Sequence, residues 1–385
     1  MTLLPSDDGA MKFLHTADWQ IGMRAAHVGA AGARVREERL HAARRLIEMA
    51  RRAGVEFVVV AGDTFEDNGV DRVLVQTVAD ILAAFGGPVY VLPGNHDPFM
   101  PGSVWEHPAW RSSDRVQVLR EERPVDVPGA TLFPCPAREK RSGKDPTSWI
   151  PEGESRGIRV GIAHGTVEGV YQEEPDYPIA RDAAARAGLD YLALGHWHST
   201  ATYPAPDGVV RMAYSGTHET TKFGERDSGN ALIVEVADVA APPVLAPVRT
   251  GGLTWWVIEG SLREPGDLRR LRERVEAVEH PGASLLDLRV DGLLSAPDRD
   301  ELSRIGEIVA SRFLFGRIDA SRLRPSPDDD GWIAGLPAGL LREAAMKLRE
   351  LADPAYAGPR PQDASPEVAC RALLELYALL PESVA

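Results

Sequence analysis

Short apolar runs alternate with longer amphipathic stretches through the first two-thirds of the chain. The short runs are rich in β-branched residues and predict strands at 12–16, 55–61, 89–92, 159–163, 191–194, 209–214 and 231–236. The longer stretches carry apolar residues at helical spacing and predict helices at 35–53 and 70–85. Helices placed between apolar strands indicate an α/β fold whose sheet is covered on both faces.

The pattern changes near residue 253. Strands at 255–258, 285–290 and 314–318 alternate with helices at 268–278 and 300–312, which predicts a small separate β-α-β-α-β layer. A Pro/Asp-rich break precedes two helices at 338–352 and 366–380. We therefore predict an extension (1–10), a main α/β domain (11–250), an α/β cap domain (251–324), a linker (325–330) and a C-terminal helical segment (331–385). That segment either docks a partner, as expected here, or packs back on the cap domain.

Composition indicates the cellular compartment in which we expect the protein. No run of about 18 apolar residues predicts a membrane span, and the first ten residues lack a signal-peptide pattern. Cys135 and Cys370 are too few and too far apart for a disulfide framework. We expect a cytoplasmic protein that does not bind membranes.

The net charge of −14 argues weakly against nucleic acid as a partner. However, basic residues cluster between Arg24 and Arg52 and again at 138–144, and clefts respond to local rather than total charge. Either cluster alone is typical of a solvated surface. The charge balance therefore excludes no class of partner.

Polar residues that could bind metals or take part in catalysis follow the predicted strands, where open α/β sheets bind their ligands. They are Asp18 and Gln20, Asp63, Asn95, His96 and Asp97, His164, and His196 and His198. Each has an ordinary alternative, because Asp18 could cap a helix and Asn95 could occupy a turn. Taken together, however, these residues would meet at one edge of the sheet. Placing so many polar side chains there would cost free energy unless they bound a cation.

The donor types indicate which cation. Mixed oxygen and nitrogen donors suit Mn²⁺, Fe²⁺ or Zn²⁺ better than Mg²⁺ or Ca²⁺. A carboxylate such as Asp63 can bridge two ions about 3.5–4 Å apart, the spacing used for in-line attack on phosphorus.

The same segments resemble a known family, the calcineurin-like metallophosphoesterases. Within it, they are most similar to the nuclease subunit (SbcD) of the bacterial SbcCD complex and to its archaeal and eukaryotic repair relatives. The carrying segments are His-Thr-Ala-Asp-Trp-Gln-Ile-Gly at 15–22, Ala-Gly-Asp-Thr-Phe at 61–65, Gly-Asn-His-Asp at 94–97, His-Gly at 164–165, Gly-His-Trp-His at 195–198 and Tyr-Ser-Gly at 214–216. The resemblance implies a sandwich of two mixed sheets flanked by helices.

The resemblance also implies two divalent metal ions, with Mn²⁺ the expected identity. One ion would be held by Asp18, Gln20, Asp63 and His198, and the other by Asp63, Asn95, His164 and His196. His96 would act on the scissile phosphate and its leaving oxygen, and Asp97 would orient His96. Gln20 departs from the family, which has histidine there, so we expect the first ion to bind more loosely or to differ in identity.

Three functions follow as hypotheses. The first is a Mn²⁺-dependent DNA nuclease, a double-strand exonuclease and single-strand endonuclease of double-strand-break repair, working with an SbcC-like coiled-coil ATPase. The second is a stand-alone phosphodiesterase or phosphatase for small phosphoesters, and the third is a scaffold weakened at Gln20. We also predict a homodimer, because the helix at 70–85 is apolar on more than one side.

Overall fold

The computed structural model describes residues 10–153, 157–169, 176–205, 207–295, 298–327, 330–362 and 364–380. These residues form two compact units that divide between Thr254 and Trp255. All but the last residue of the predicted extension 1–10, and two residues of the predicted linker 325–330, lie outside the described residues. The finer division of the second unit stays a prediction.

The described part of the first unit contains fourteen strands and three α-helices. The strands are β1 (Met11–Thr16), β2 (Phe57–Ala61), β3 (Val89–Leu92), β4 (Val116–Val118), β5 (Val125–Val127), β6 (Ala130–Cys135), β7 (Ile158–His164), β8 (Thr166–Val167), β9 (Pro178–Ile179), β10 (Tyr191–Gly195), β11 (Ala201–Pro204), β12 (Val210–Tyr214), β13 (Asn230–Val236) and β14 (Val244–Arg249). The helices are α1 (Gly32–Arg52), α2 (Arg72–Ala83) and α3 (Ala183–Arg186). Short 3₁₀ turns occur at Ala26–Ala31, Val104–Glu106 and Pro108–Arg111.

The described part of the second unit begins with the predicted β-α-β-α-β order. Its elements are β15 (Thr254–Leu262), α4 (Asp267–Glu276), β16 (Ser284–Leu294), α5 (Asp298–Arg312) and β17 (Phe315–Pro325), followed by α6 (Gly331–Gly335), α7 (Leu340–Ala352) and α8 (Pro366–Leu379). A 3₁₀ turn at Pro281–Ala283 precedes β16. The three strands form one sheet in the order β15-β16-β17.

Two six-stranded sheets build the first unit. Their orders are β14-β13-β1-β2-β3-β4 and β11-β12-β10-β7-β6-β5. Each is mixed, because the central strands pair in parallel while β13, β14, β5 and β11 pair antiparallel to their neighbours. The predicted fold of two mixed sheets with flanking helices is confirmed.

Strand alternation explains how both faces of each sheet are covered. Along β2, Phe57 and Val59 enter the core that joins the two sheets, whereas Val58 and Val60 enter a separate core under α1 and α2. Successive side chains of a strand point to opposite faces, so a continuous apolar run fits a strand buried on both sides. The outer face of the second sheet is covered by a third core that includes α3.

The helix behind the homodimer prediction packs largely into its own unit. Val75, Val78 and Leu82 are buried in the core under α1 and α2, while Val73 remains 70% exposed. The intramolecular core therefore accounts for most of the apolar surface of α2. The homodimer stays a prediction.

The C-terminal helices are attached to the sheet of the second unit. Arg324 on β17 donates to the carbonyl oxygens of Tyr377, Ala378 and Leu380 at the end of α8. Arg371 of α8 forms an ion pair with Glu264. Among the described residues, no helix is both long and apolar enough to cross a bilayer.

Candidate metal centre

The carboxyl ends of strands from both sheets meet at one place. Asp18 follows β1 and Asp63 follows β2 in the first sheet, and His164 ends β7 in the second. All three residues are buried, and one potential ligand atom from each lies within 4.8 Å of the others. The sequence prediction that these strand ends converge is thus met by the geometry.

The backbone is strained where the expected ligands lie. Asp18, Gln20, Asp63 and His196 all have positive φ angles, of 55°, 41°, 51° and 107°. Such angles are costly for residues other than glycine and cluster at functional sites. Hydrogen bonds from Asp18 N to Gly62 O (3.1 Å) and from Gln20 N to Asp63 O (2.9 Å) hold the two loops in this form.

Close approach also explains the glycine of the third loop. A Cβ atom on Gly94 would lie 2.2 Å from Asp63 Oδ1 and 2.3 Å from Asp63 N. The loop that carries Asn95 and His96 can therefore reach Asp63 only with glycine at 94. In keeping with this, His96 N donates to Asp63 Oδ1 at 2.9 Å.

One ring nitrogen of His164 faces two oxygen atoms. Its Nδ1 donates to the carbonyl oxygen of Ala61 at 2.9 Å. Its Nε2 lies 2.9 Å from Asn95 Oδ1 and 3.3 Å from Asp63 Oδ2. In the neutral ring these three atoms are all acceptors, so a proton or a cation must lie among them to make the arrangement favourable.

Asn95 and His196 complete this side of the site. Asn95 Oδ1 lies 3.2 Å from His196 Nδ1, and Asn95 Nδ2 donates to Asp176 Oδ2 at 3.2 Å. The contact with Asp176 fixes which end of the amide faces the histidines. His196 N in turn donates to both oxygens of Asp18, at 3.0 and 3.1 Å.

His198 lies on the side of the first expected ion and is oriented by a carboxylate. His198 Nδ1 donates to Glu225 Oε1 at 2.7 Å, and Thr221 N donates to Glu225 Oε2 at 2.8 Å. The contact fixes the tautomer and leaves Nε2 as the nitrogen that could bind a cation, a common arrangement around metal-binding histidines. Nε2 accepts from Gln20 Nε2 at 3.2 Å, and rotating that amide by 180° would place its oxygen, the atom that a cation needs, at the same point.

The expected role of Asp97 is wrong. Its two carboxylate oxygens accept from the backbone N–H groups of Phe65 (2.8 Å) and Gly94 (2.7 Å). His96 is oriented instead by the carbonyl oxygen of Glu66, which lies 2.9 Å from His96 Nδ1. Asp97 therefore joins the loops of Phe65 and Gly94 by hydrogen bonds. Its short carboxylate binds these backbone N–H groups and does not orient the ring of the neighbouring His96.

A buried arginine holds the loop that contains Asp18 by hydrogen bonds. Arg39 on α1 donates to the carbonyl oxygens of Trp19 (3.0 Å), Glu219 (2.6 Å) and Asp18 (3.3 Å). Burial lowers the pKa of Arg39 to about 10, which leaves it charged at neutral pH. Its charge also partly offsets the negative potential of the carboxylates above it.

Burial and neighbouring charges set the protonation of the site. Burial raises the pKa of Asp18 to about 6 and lowers that of His196 to about 3. Burial also disfavours the charged form of His164, but attraction to Asp63 outweighs it and raises the pKa of His164 to about 9. The same pairing holds the pKa of Asp63 below its usual range, although burial opposes this.

These observations fit a divalent cation site. Buried carboxylate, amide and imidazole donors converge, and the proton that His164 holds at neutral pH supplies positive charge among them. Asp63, Asn95, His164 and His196 would hold one ion, and Asp18, Gln20, Asp63 and His198 would hold the other. Bound ions would neutralise a phosphate group and activate a water nucleophile.

Metal affinity is expected to rise with pH. Below about pH 9 the metal-free protein carries a proton on His164 that a cation must displace. Affinity should therefore increase by up to about tenfold per pH unit between roughly pH 6.5 and 8.5. Calorimetric Mn²⁺ titrations at several pH values test this, and a pH-independent affinity would show that His164 is not displaced from a protonated state.

Removing the carboxylate behind His198 is expected to weaken metal binding. Glu225→Ala should lower the affinity of one ion by about 10–100-fold, the usual effect of losing the partner of a ligating histidine. Metal titration of the purified variant measures the effect. Arg226→Ala is the control, because Arg226 is exposed and adjacent in sequence; equal losses in both variants would contradict the role of Glu225.

A family model matches the part of the chain that contains the expected metal ligands. The family model for calcineurin-like phosphoesterases matches residues 11–200. Residues 11–200 form a calcineurin-like phosphoesterase domain.

Individual relatives are distant. An uncharacterized metallophosphoesterase of Bacillus subtilis, YhaO, is 24% identical over 214 residues, which are 54% of this chain and 52% of that protein. The chain thus matches about half the length of this curated relative. The chain is also similar to solved structures. For TT1561 of Thermus thermophilus the TM-score is 0.41 with 10% identity, and the match covers 63% of this chain and 99% of that chain. For a dimetal phosphatase from Danio rerio the TM-score is 0.38 with 13% identity, and the match covers 62% of this chain and 99% of that chain.

Two residues of the first unit that contact expected ligands were not identified from sequence. Glu225 and Asp176 orient ligands, yet each lies in a loop far along the chain from its partner, without a local signal. His218 is fully buried, and its ring packs against that of Trp19. Tyr214 of the Tyr-Ser-Gly segment braces the turn after His164, because its hydroxyl donates to Gly165 O at 2.6 Å.

Proposed function

We propose that this protein is a metal-dependent nuclease that hydrolyses phosphodiester bonds of DNA, with Mn²⁺ as its metal. The second unit supports a polymeric substrate over a small phosphoester. This unit has its own apolar core around Leu286, Leu288 and Ile305. A hydrolase of small phosphoesters has little need of a separately packed unit of this size. The resemblance to repair nucleases supports the same choice, as do free cysteines suited to the cytoplasm.

The chemistry follows from the residues of the site. Water attacks phosphorus and the bond to the leaving oxygen breaks, so that oxygen must gain a proton or an equivalent positive partner. His96 is placed for this task, because Nδ1 is committed to the Glu66 carbonyl and Nε2 is the nitrogen that can carry and release a proton. The hydrogen bond from His96 N to Asp63 fixes the distance between this group and the metal ligands.

Paired assays test the proposal. The full-length protein with Mn²⁺ is compared on linear duplex DNA, circular single-stranded DNA and a chromogenic phosphodiester. The expected result is digestion of both DNA substrates, abolished by chelator and by His96→Ala. Hydrolysis of the chromogenic compound without any cleavage of DNA would instead identify a small-molecule phosphodiesterase.

We propose further that the C-terminal helices dock an SbcC-like coiled-coil ATPase. Ala345 and Leu373 pack in the small core shared by α7 and α8, whereas Leu340 and Leu341 are 85% and 53% exposed. These exposed leucines lie on the first turn of α7, where a partner could cover them.

Charged substitution is expected to separate docking from catalysis. Leu340→Glu with Leu341→Glu should weaken binding of the purified ATPase by at least about tenfold, as for anchors of an interface, and leave hydrolysis of the chromogenic substrate unchanged. Met100→Glu is the control, because Met100 is also exposed but lies in the first unit. Undiminished binding by the double variant would rule out this surface.

A further inference from the structure

A basic loop at residues 138–144 contrasts with the acidic chain around it. It contains Arg138, Lys140, Arg141 and Lys144, all exposed, and one acidic residue, Glu139. Four positive charges and one negative charge give this loop +3, in a chain whose total is −14. Among the residues that the structure describes, none of its four cations forms an ion pair with a carboxylate, whereas Arg138 donates to the carbonyl oxygen of Arg120.

The start of the basic loop is joined to the segment that carries the catalytic histidine. Ala137 N donates to Pro93 O at 3.1 Å, and Phe99 N donates to Ala137 O at 2.8 Å. Ala137 therefore pairs with both ends of the segment from 93 to 99, which includes Asn95 and His96. The cations begin at the next residue.

The middle of the basic loop is joined to the metal centre through one carboxylate. Asp176 accepts from Ser142 N through Oδ1 at 2.9 Å and from Asn95 Nδ2 through Oδ2 at 3.2 Å. Tyr177 N donates to Ser142 O at 2.8 Å, which secures the loop from the same side. Only two hydrogen bonds thus separate the loop backbone from an expected metal ligand.

The end of the basic loop is also fixed. Asp145 accepts from Thr147 N at 2.8 Å and forms an ion pair with Arg186 at 3.0 Å. A loop held at both ends and in the middle keeps its charges in place before a ligand arrives. Binding then costs less ordering entropy than binding by a free surface loop.

We propose that the basic loop binds the phosphate backbone of a polynucleotide and leads it to the metal centre on the Asn95 side. The proposal rests on the proposed nuclease function and assigns the surface that gives it a polymeric substrate. A small phosphoester has a single phosphate, which the metal ions would bind. A polynucleotide has further phosphates beyond the one that reacts, and unpaired lysines and arginines beside the site are the groups that bind such charges.

The test removes two adjacent charges from the basic loop. Lys140→Gln with Arg141→Gln is compared with Arg51→Gln with Arg52→Gln, a control pair exposed at the C-terminal end of α1. The control pair lies about 18 Å along the helix from Arg39, which supports the site. Both pairs are made in full-length His96→Ala protein with Mn²⁺, and binding of a fluorescent single-stranded 20-mer DNA is measured from 50 to 200 mM KCl.

The loop pair is expected to bind DNA about tenfold more weakly at 100 mM KCl, and the slope of log affinity against log salt should fall in magnitude by about 1.4. The control pair should match its parent. In a wild-type background, the loop pair should hydrolyse the chromogenic phosphodiester at an unchanged rate. Equal losses in both pairs, or no loss in the loop pair, would overturn the proposal.

Cleavage of DNA by the wild-type protein is measured separately and decides the nuclease function. Protein that binds DNA through the basic loop but does not cut it would refute the nuclease and support the binding surface. Protein that shows no binding to DNA at all would overturn the binding surface.

Discussion

Replacing His96 with alanine is expected to slow phosphodiester hydrolysis by about 10²–10⁴-fold, the usual contribution of a general acid or base, and to leave the metal content unchanged. The ring of His96 contacts the Glu66 carbonyl, and its backbone N–H donates to Asp63, an expected metal ligand. Alanine keeps that N–H, so Asp63 stays in place while the proton-carrying nitrogen is lost.

Metal content by atomic emission and initial rates on the chromogenic phosphodiester measure the two effects together. His41→Ala is a suitable control, because His41 lies on the solvent side of α1 with 41% of its side chain exposed. A metal content that falls together with the rate would show that His96 is a ligand instead.

Replacing Asp63 with asparagine is expected to reduce both metal content and activity, with a loss of activity above about 100-fold. That loss should exceed the effect of disturbing a residue that merely supports a ligand. One oxygen of Asp63 accepts from His96 N, and the other faces His164 Nε2 at 3.3 Å. An amide has one oxygen instead of two and no charge, so it cannot serve both neighbours and two cations.

The matched control is Asp80→Asn, which removes the same charge from an exposed position on α2. Thermal unfolding of the metal-free proteins separates a damaged site from a damaged fold. Full metal content in the Asp63 variant would remove Asp63 from its bridging position.

The sequence predicted most of the central strands closely, because buried strands leave uninterrupted apolar runs. Val89–Leu92 was predicted with its observed bounds, and β1, β7, β10, β12 and β13 were placed to within one residue at either end. The edge strands β4, β5, β11 and β14 were missed, and so was β6, which lies inside the second sheet. The four edge strands are short or largely exposed, so their residues carry no strong apolar pattern, whereas in β6 Thr131 and Pro134 interrupt the apolar run.

The expected ligands could be proposed from sequence because each follows a strand, and parallel strands bring their carboxyl ends together. The residues that orient those ligands could not be found in this way. Glu225 lies 27 residues from His198 and Asp176 lies 81 residues from Asn95. Such pairs form only when loops fold against one another, and neither carboxylate differs in sequence from an ordinary surface residue.

The central claim is a site for two metal ions that share Asp63, and electron paramagnetic resonance of the Mn²⁺-loaded protein tests it most directly. The account predicts two Mn²⁺ ions bound per chain and a spectrum with the exchange coupling of ions about 3.5–4 Å apart. Asp63→Asn should abolish the coupling. A wild-type protein that binds a single ion, or two ions with the spectrum of isolated Mn²⁺, would contradict the account.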